Sequence, residues 1–191
     1  SISIVKNPLA IQKISSKDIN KRFVYFGRFN KHKNLKEFIT AFISAKPNSE
    51  WSFHIYGIED DVNYKKELLD LVFQSGFQKS IKFIKPEFDI KKKFKIISES
   101  WCNVLLSKSE ILSLSVLEAF SVGTQSFVNK KIFFPRWLQR YLIRSEVSNL
   151  NLVKSIKSIM KQNINEKRIL KSEMKVLFKK NILFLMKKIF I

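Results

Sequence analysis

Two carboxylates and a cluster of cations are the residues of this chain best placed to do chemistry. Glu110 and Glu118 lie in Ser107–Gly123, SKSEILSLSVLEAFSVG, with seven residues between them. There an apolar strand passes through a loop into a helix that Gly123 ends. Carboxylates at such a turn can accept hydrogen bonds from the hydroxyls of a sugar or ribose while the helix N–H groups face phosphate. A local reading competes: Ser115-Val-Leu-Glu118 matches a capping box, and Glu110 then stands as an exposed loop residue. The cations are Arg28, Lys31, His32 and Lys33, between a strand end and a helix start. Unpaired N–H groups already make that position positive, so each added cation costs about 0.3–1 kcal/mol unless an anion sits among them. The cluster therefore reads either as a phosphate or diphosphate site or as solvated lysines of a basic chain.

The elements that must position these groups follow a regular rhythm. Phe23–Gly27 is short, aromatic and β-branched, as a buried strand should be. Leu35, Phe38, Ile39, Phe42 and Ile43 fall on one helical face, with Asn34 and Glu37 as its cap and Lys46-Pro47-Asn48 as its stop. Trp51–Gly57 repeats the first strand's pattern, and a second helix fits Asn63–Ser75, stopped by Gly76. Ile81–Ile84 is a third strand and Phe88–Ser100 a basic helix. Asn103–Leu106 is a fourth strand, Leu114–Val122 the helix of the carboxylate stretch and Ser126–Val128 a fifth strand. His54 and Trp101-Cys102 read as core, and Lys91-Lys92-Lys93 as a solvated helix face. Strands alternating with single helices imply right-handed βαβ units and a Rossmann-like parallel sheet with flanking helices. Ligands bind beyond the carboxyl ends of such strands, where the loops after Gly27, Gly57, Ile84 and Leu106 meet.

Beyond Val128 the pattern loosens. Lys130–Ile143 is basic and aromatic, and Asn149–Met160 and Glu166–Ile191 are Lys-rich amphipathic helices. The division expected is a linker and incoming strand over 1–20, a ligand-binding domain over 21–148 and a basic helical tail over 149–191.

Composition bounds the rest. With 45% apolar residues in 191, the chain can bury a real core. One cysteine, Cys102, and two histidines offer neither a disulfide nor a metal set at ligand spacing. No apolar run reaches membrane-spanning length and the start lacks signal-peptide features, so a cytoplasmic location is expected. The formal charge of +20 implies attraction to polyanions, whether nucleic acid, anionic lipid or phosphorylated substrates. Neither an aromatic-basic RNA motif nor a recognition-helix pattern accompanies that charge, so a nucleic-acid partner is not expected. The sequence contains no P-loop, GxGxxG, HExxH or complete nucleophile triad.

Taken in order, FVYFGRFNKHKNLKEFITAF, HIYG and SKSEILSLSVLEAFSVGT resemble the donor-binding, C-terminal half of retaining GT-B glycosyltransferases, family four in particular, and IVKNPLAI is similar to the linker into that half. The resemblance spans about residues 4–128. It implies that Arg28 and Lys33 neutralise the diphosphate of a nucleotide sugar and stabilise charge on the leaving group. It implies that Glu110 contacts the transferred sugar, Glu118 the ribose hydroxyls and Ile84 the neighbourhood of the base. Ser113, with Leu112 and Leu114, would present backbone N–H groups to sugar and phosphate, and no divalent metal or other cofactor would be required. Two positions depart from the family pattern: Ile111 stands where Gly usually follows the first Glu, and Asn34 where Gly often follows the Lys. The resemblance further implies a glycan or lipid-linked acceptor and a separate N-terminal lobe; the basic, apolar tail after about Asn149 would then either pack back on that lobe or lie peripherally on an anionic membrane. The alternatives are a non-catalytic nucleotide-sugar-binding module or split-enzyme subunit, and, from another class, a basic nucleic-acid-binding protein.

Overall fold

The computed structural model describes residue 16, residues 18–110 and residues 113–189, with side chains to residue 181. The strands are β1 (Asn20–Phe29), β2 (Ser52–Glu59), β3 (Ile81–Ile84), β4 (Ser100–Leu105), β5 (Gln125–Asn129) and β6 (Leu142–Ser145). Every pairing is parallel, and the order across the sheet is β3-β2-β1-β4-β5-β6. The helices are α1 (Leu35–Ser44), α2 (Val62–Gln74), α3 (Ile90–Ser98), α4 (Leu114–Ser121), α5 (Arg136–Gln139), α6 (Asn149–Met160) and α7 (Ile164–Ile189). A 3₁₀ turn, Lys31–Lys33, joins β1 to α1.

Successive strand residues point to opposite faces, and β4 and β5 are buried along their whole length, so their apolar residues supply a core on each side of the sheet. Val104 and Phe127 enter the larger core with Phe23, Phe38, Phe42 and Phe53, where edge-to-face ring contacts recur. Their chain neighbours Leu105 and Val128 enter the second core with Val116, Phe120 and Tyr141. Leu152 and Ile156 of α6 complete the first core, and Met174 and Phe178 of α7 complete the second. The helices beyond residue 148 thus close both faces of the sheet.

The strand β4 begins at Ser100, so Trp101 and Cys102 lie inside it, and α3 ends earlier than the sequence suggests, at Ser98. Pairing of Asn20 with Ser100 and of Phe23 with Cys102 draws these residues into the sheet. The sixth strand, within the stretch where the sequence pattern loosens, adds to the edge beside β5. Residues 1–15, with the expected incoming strand and linker, and most of the final apolar segment's side chains lie outside the described residues.

Gly123 has a left-handed φ of 79°, and a Cβ there would stand 2.4 Å from the Lys171 carbonyl oxygen. It therefore ends α4 and also lets α7 cross against the motif helix. Lys171 hydrogen-bonds the carbonyl of Ser98, the last residue of α3. A cation at a helix C-terminus is favoured by the unpaired carbonyls and the dipole.

Candidate functional site

In the 3-2-1-4-5-6 order the connections leave β1 and β4 in opposite directions, which opens a crevice beyond their carboxyl ends. The cationic turn after β1 and the carboxylate loop after β4 are brought together there. Backbone contact stitches them: Lys108 N–H donates to the His32 carbonyl at 2.8 Å. Asn34 Nδ2 donates to the Leu106 carbonyl at 2.7 Å, and Asn129 Nδ2 to the Ser107 carbonyl at 3.1 Å.

Asn34 thus has a different task from the cap the sequence suggests. It adopts a left-handed φ of 51° and makes no side-chain capping bond to α1. Its buried amide instead satisfies a carbonyl just past the end of β4, a group with no ladder partner, and Asn tolerates this backbone region better than most residues.

Lys33 and Glu110 meet directly, Nζ to Oε1 at 2.7 Å, with side chains only 22% and 16% exposed. Arg28 is 62% exposed and stands 3.6 Å from Asp60, which also accepts from Asn30 Nδ2 at 3.0 Å. Its guanidinium is therefore displayed at the rim with a loose counter-ion. Ser113 is the N-cap residue of α4, buried and without a side-chain capping bond, and Leu114 begins the helix half-exposed. Ile111 and Leu112 lie outside the described residues.

The capping box expected at Ser115–Glu118 does not form. Ser113 holds the cap position, and Glu118 turns away from the helix terminus to an ion pair with Lys93 of α3. The Lys93 Nζ lies 2.9 Å from Oε1 and 2.8 Å from Oε2. Lys91 and Lys92 are exposed, but Lys93 is only 24% so. The solvated-face expectation therefore fails for the last residue of that run, because helical rotation brings it over α4.

Glu118 and Lys93 line a cleft of about 360 Å³ with Phe26, Gly27, Tyr56, Ile58, Pro86 and Phe88. Its aromatic part is Phe26 stacked on Tyr56, centroids 4.6 Å apart and planes 12° from parallel. Phe88 is largely exposed at its mouth. Ile84 ends β3 opposite Tyr56 in register and is partly buried, but it is not part of the cleft wall. A second, polar crevice of about 630 Å³ follows the loops after β1, β4, β5 and β6, between Asn34, Lys108, Asn129, Lys131 and Ser148. No group of His, Cys, Asp and Glu suited to a metal ion occurs among the described residues.

Sequence reasoning did not single out Phe26, Tyr56, Phe88 or Lys93. The signal for the two ring residues was available: each is the aromatic just before a Gly two residues from the end of its strand, Gly27 and Gly57, and those glycines pair with each other in register. His54, read as core, is half-buried in β2, its Nδ1 is buried without a partner among the described residues, and burial lowers its pKa to about 4. Cys102 is fully buried and its thiol is pushed up to about 12, so it is inert as a nucleophile.

A Rossmann-like single lobe with a six-stranded parallel sheet in this order is one half of the GT-B architecture. Residues 7–176 match the family Glycosyl transferases group 1, and the chain belongs to that family. Its fold is similar to the C-terminal domain of the group 1 family protein LpcC from Francisella tularensis, with TM-score 0.75, 23% identity, and 87% of this chain and 88% of that one covered. Anabaena Alr3699/HepE, solved in complex with UDP and glucose, matches with TM-score 0.69 and 15% identity over 84% of this chain and 44% of its own. The pneumococcal O-GlcNAc transferase GtfA, in complex with UDP and GlcNAc, matches with TM-score 0.68 and 20% identity over 91% and 36%. The chain thus spans less than half the length of these two proteins. No curated protein sequence matches the chain.

Proposed function

We propose that this chain is the donor-binding lobe of a retaining glycosyltransferase that moves a sugar from a nucleoside diphospho-sugar to a glycan or lipid-linked acceptor. The observation that carries the reading is Glu118, set in the wall of a cleft with a stacked aromatic pair at the switch point of the sheet. The nucleoside lies against Phe26, Tyr56 and Phe88, and Glu118 accepts from the ribose hydroxyls. The diphosphate then faces Arg28, Lys33 and the N-terminus of α4 near Ser113 and Leu114, where cations and helix N–H groups stabilise charge growing on the leaving group. Glu110, next to Lys33, accepts from a hydroxyl of the transferred sugar.

Arg28 and Lys33 supply the positive charge that a divalent cation would otherwise bring, so nucleotide binding persists in EDTA. The acceptor is held by a separate N-terminal lobe. Exposed Lys154, Lys157 and Lys161 give the helical region the charge for an anionic membrane surface on the cytoplasmic side. Among the described residues no helix is long and apolar enough to cross a membrane. Sedimentation with phosphatidylglycerol vesicles tests the surface association, which fails if neutral phosphatidylcholine vesicles bind equally.

A thermal-shift panel of UDP, GDP, ADP and their sugar conjugates tests the donor site. A ligand at a hundred times its Kd adds about 2.7 kcal/mol, or roughly 5–10 °C in Tm for a domain of this size. The shift should vanish in Glu118→Ala and shrink in Arg28→Ala. If no nucleotide shifts the wild-type chain, the donor-site reading is wrong.

A further inference from the structure

The cleft holds a second carboxylate with no role in that reading. Glu87, in the loop that joins β3 to α3, lines the cleft beside Pro86 and Phe88. Glu118 is neutralised by Lys93, whereas no cation lies within ion-pair distance of Glu87 among the described residues. The hydrogen bond that holds Glu87 is local: its Oε1 accepts from Asp89 N–H at 2.9 Å. Burial raises the pKa of the Tyr56 hydroxyl, Arg22 draws it down, and Glu87 is the carboxylate close enough to add to the rise. The Glu87 carboxylate and the Tyr56 ring therefore share one end of the cleft.

Strand order decides which part of a nucleotide meets that end. The sheet runs β3-β2-β1-β4, with Arg28 in the last turn of β1, Lys33 just after it, and Glu118 on the helix after β4. With the diphosphate at those cations and the ribose at Glu118, the base extends over Tyr56 of β2 toward the loop after β3. Glu87 is the charged side chain in that part of the wall.

A carboxylate distinguishes bases by the donors on their edges. Guanine presents N1–H and an N2 amino group side by side, and both donate. Uracil presents a single N3–H between two carbonyl oxygens, which repel a carboxylate. Adenine presents one amino group beside the acceptor N1. Hypoxanthine keeps the N1–H of guanine and lacks the amino group. The Asp89 amide takes one of about four lone pairs on Glu87, so Oε2 keeps two and Oε1 keeps one. Two adjacent donors can therefore be met whichever lone pair of Oε1 the amide holds.

We propose that Glu87 determines base specificity: its carboxylate accepts from N1–H and the N2 amino group of guanine, so that the donor taken by this cleft is a guanosine diphospho-sugar. This rests on the donor-site reading above and narrows it to one base.

The test is calorimetric Kd values for GDP, IDP, UDP and ADP on the full chain, in wild type, Glu87→Gln and Glu87→Ala. GDP and IDP differ by the N2 amino group alone, and one hydrogen bond to a charged acceptor corresponds to a preference of about tenfold or more. The wild type should bind GDP about tenfold more tightly than IDP, and UDP and ADP more weakly still. Glu87→Gln keeps an oxygen for the Asp89 amide but sets an NH₂ donor where guanine needs an acceptor. It should bring the GDP-to-IDP ratio to within about twofold, as should Glu87→Ala. Tm values read alongside identify a variant that fails to fold, and Glu87→Gln keeps the comparison available if Glu87→Ala is that variant. If the wild type binds another of these nucleotides as tightly as GDP, or if Glu87→Gln keeps the wild-type ratio, Glu87 only shapes its loop. The proposal is then overturned while the donor site stands. If the wild type binds no nucleotide, the donor-site reading and this proposal fall together.

Discussion

Replacing Lys167 with Met should make the pH dependence of stability flatter in a calculable way. Lys167 is 4% exposed, hydrogen-bonded through Nζ to Gln125 Oε1 at 2.9 Å and 6.0 Å from the centre of the Trp101 ring. No carboxylate lies within ion-pair distance of it among the described residues. Burial lowers its pKa from 10.5 to about 8, with the nearby Lys171 adding to the effect. At about 1.4 kcal/mol per pH unit, that fall is a burial cost of about 3 kcal/mol. Below pH 8 the folded and unfolded chains both hold the proton, so the cost is present in full. Between pH 8 and 10.5 the unfolded chain holds more protons than the folded one, and stability rises with pH. Above 10.5 the amine is neutral in both states and the cost is gone.

At pH 7 the Met variant escapes the burial cost but strands Gln125, a loss of about 1–3 kcal/mol. It should therefore be as stable as wild type, or up to about 2 kcal/mol more so. From pH 7.5 to 10.5 the difference should move toward the wild type by about 3 kcal/mol. Lys171, also lowered to about 8, remains in both proteins and largely cancels. Urea unfolding at four pH values, followed by Trp fluorescence, reads this directly, since Trp101 is beside the substituted residue. A difference that stays constant across the range would refute the reasoning.

Other substitutions probe single features. Gly123→Ala forces a left-handed residue and a 2.4 Å contact with the Lys171 carbonyl, so it should cost at least about 2 kcal/mol in urea unfolding. Gly76→Ala, at φ 76° with open space around it, should cost only about 1 kcal/mol, the backbone term alone. His54, lowered to about 4 by burial, keeps its stabilising neutral form above pH 6.5 and loses that advantage as pH falls from 6.5 toward 4. His54→Leu should therefore unfold less steeply across that window in acid titrations. Arg28→Ala should weaken UDP severalfold and uridine hardly at all, and should lower the salt dependence of UDP binding, which calorimetry at two ionic strengths will show.

The sheet was legible because its evidence is local. Phe23–Gly27, Ile81–Ile84 and the helical periodicity of Leu35–Ile43 mark their elements by composition and period alone. The sixth strand was not, because Leu142–Ser145 carries Arg144, follows a basic aromatic stretch and is held by pairing with β5 and not by its own pattern. At the site, proximity of the two loops followed from topology, but the pairings did not. Ser115 and Glu118 fit a capping box locally, and only the packing of α3 on α4 reveals that Lys93 takes the carboxylate instead. Asn34 fits a helix cap locally, yet its amide is required by Leu106, 72 residues away in the chain. In both cases a long-range partner won over a sound short-range pattern, and in both the winner helps to build the rim.

The family membership fixes the fold and leaves the ligand to be measured. The most direct measurement is the amide chemical-shift map of the isotope-labelled full chain titrated with UDP, GDP and ADP at 0.15 M salt. One of these should bind saturably, with the largest shifts at Gly27, Arg28, Ile58, Phe88, Lys93 and Glu118, and with that pattern abolished by Glu118→Ala. Shifts scattered over the lysine-rich helices, growing without saturation and unchanged by Glu118→Ala, would mean that the +20 charge attracts nucleotides and that the cleft is not their site.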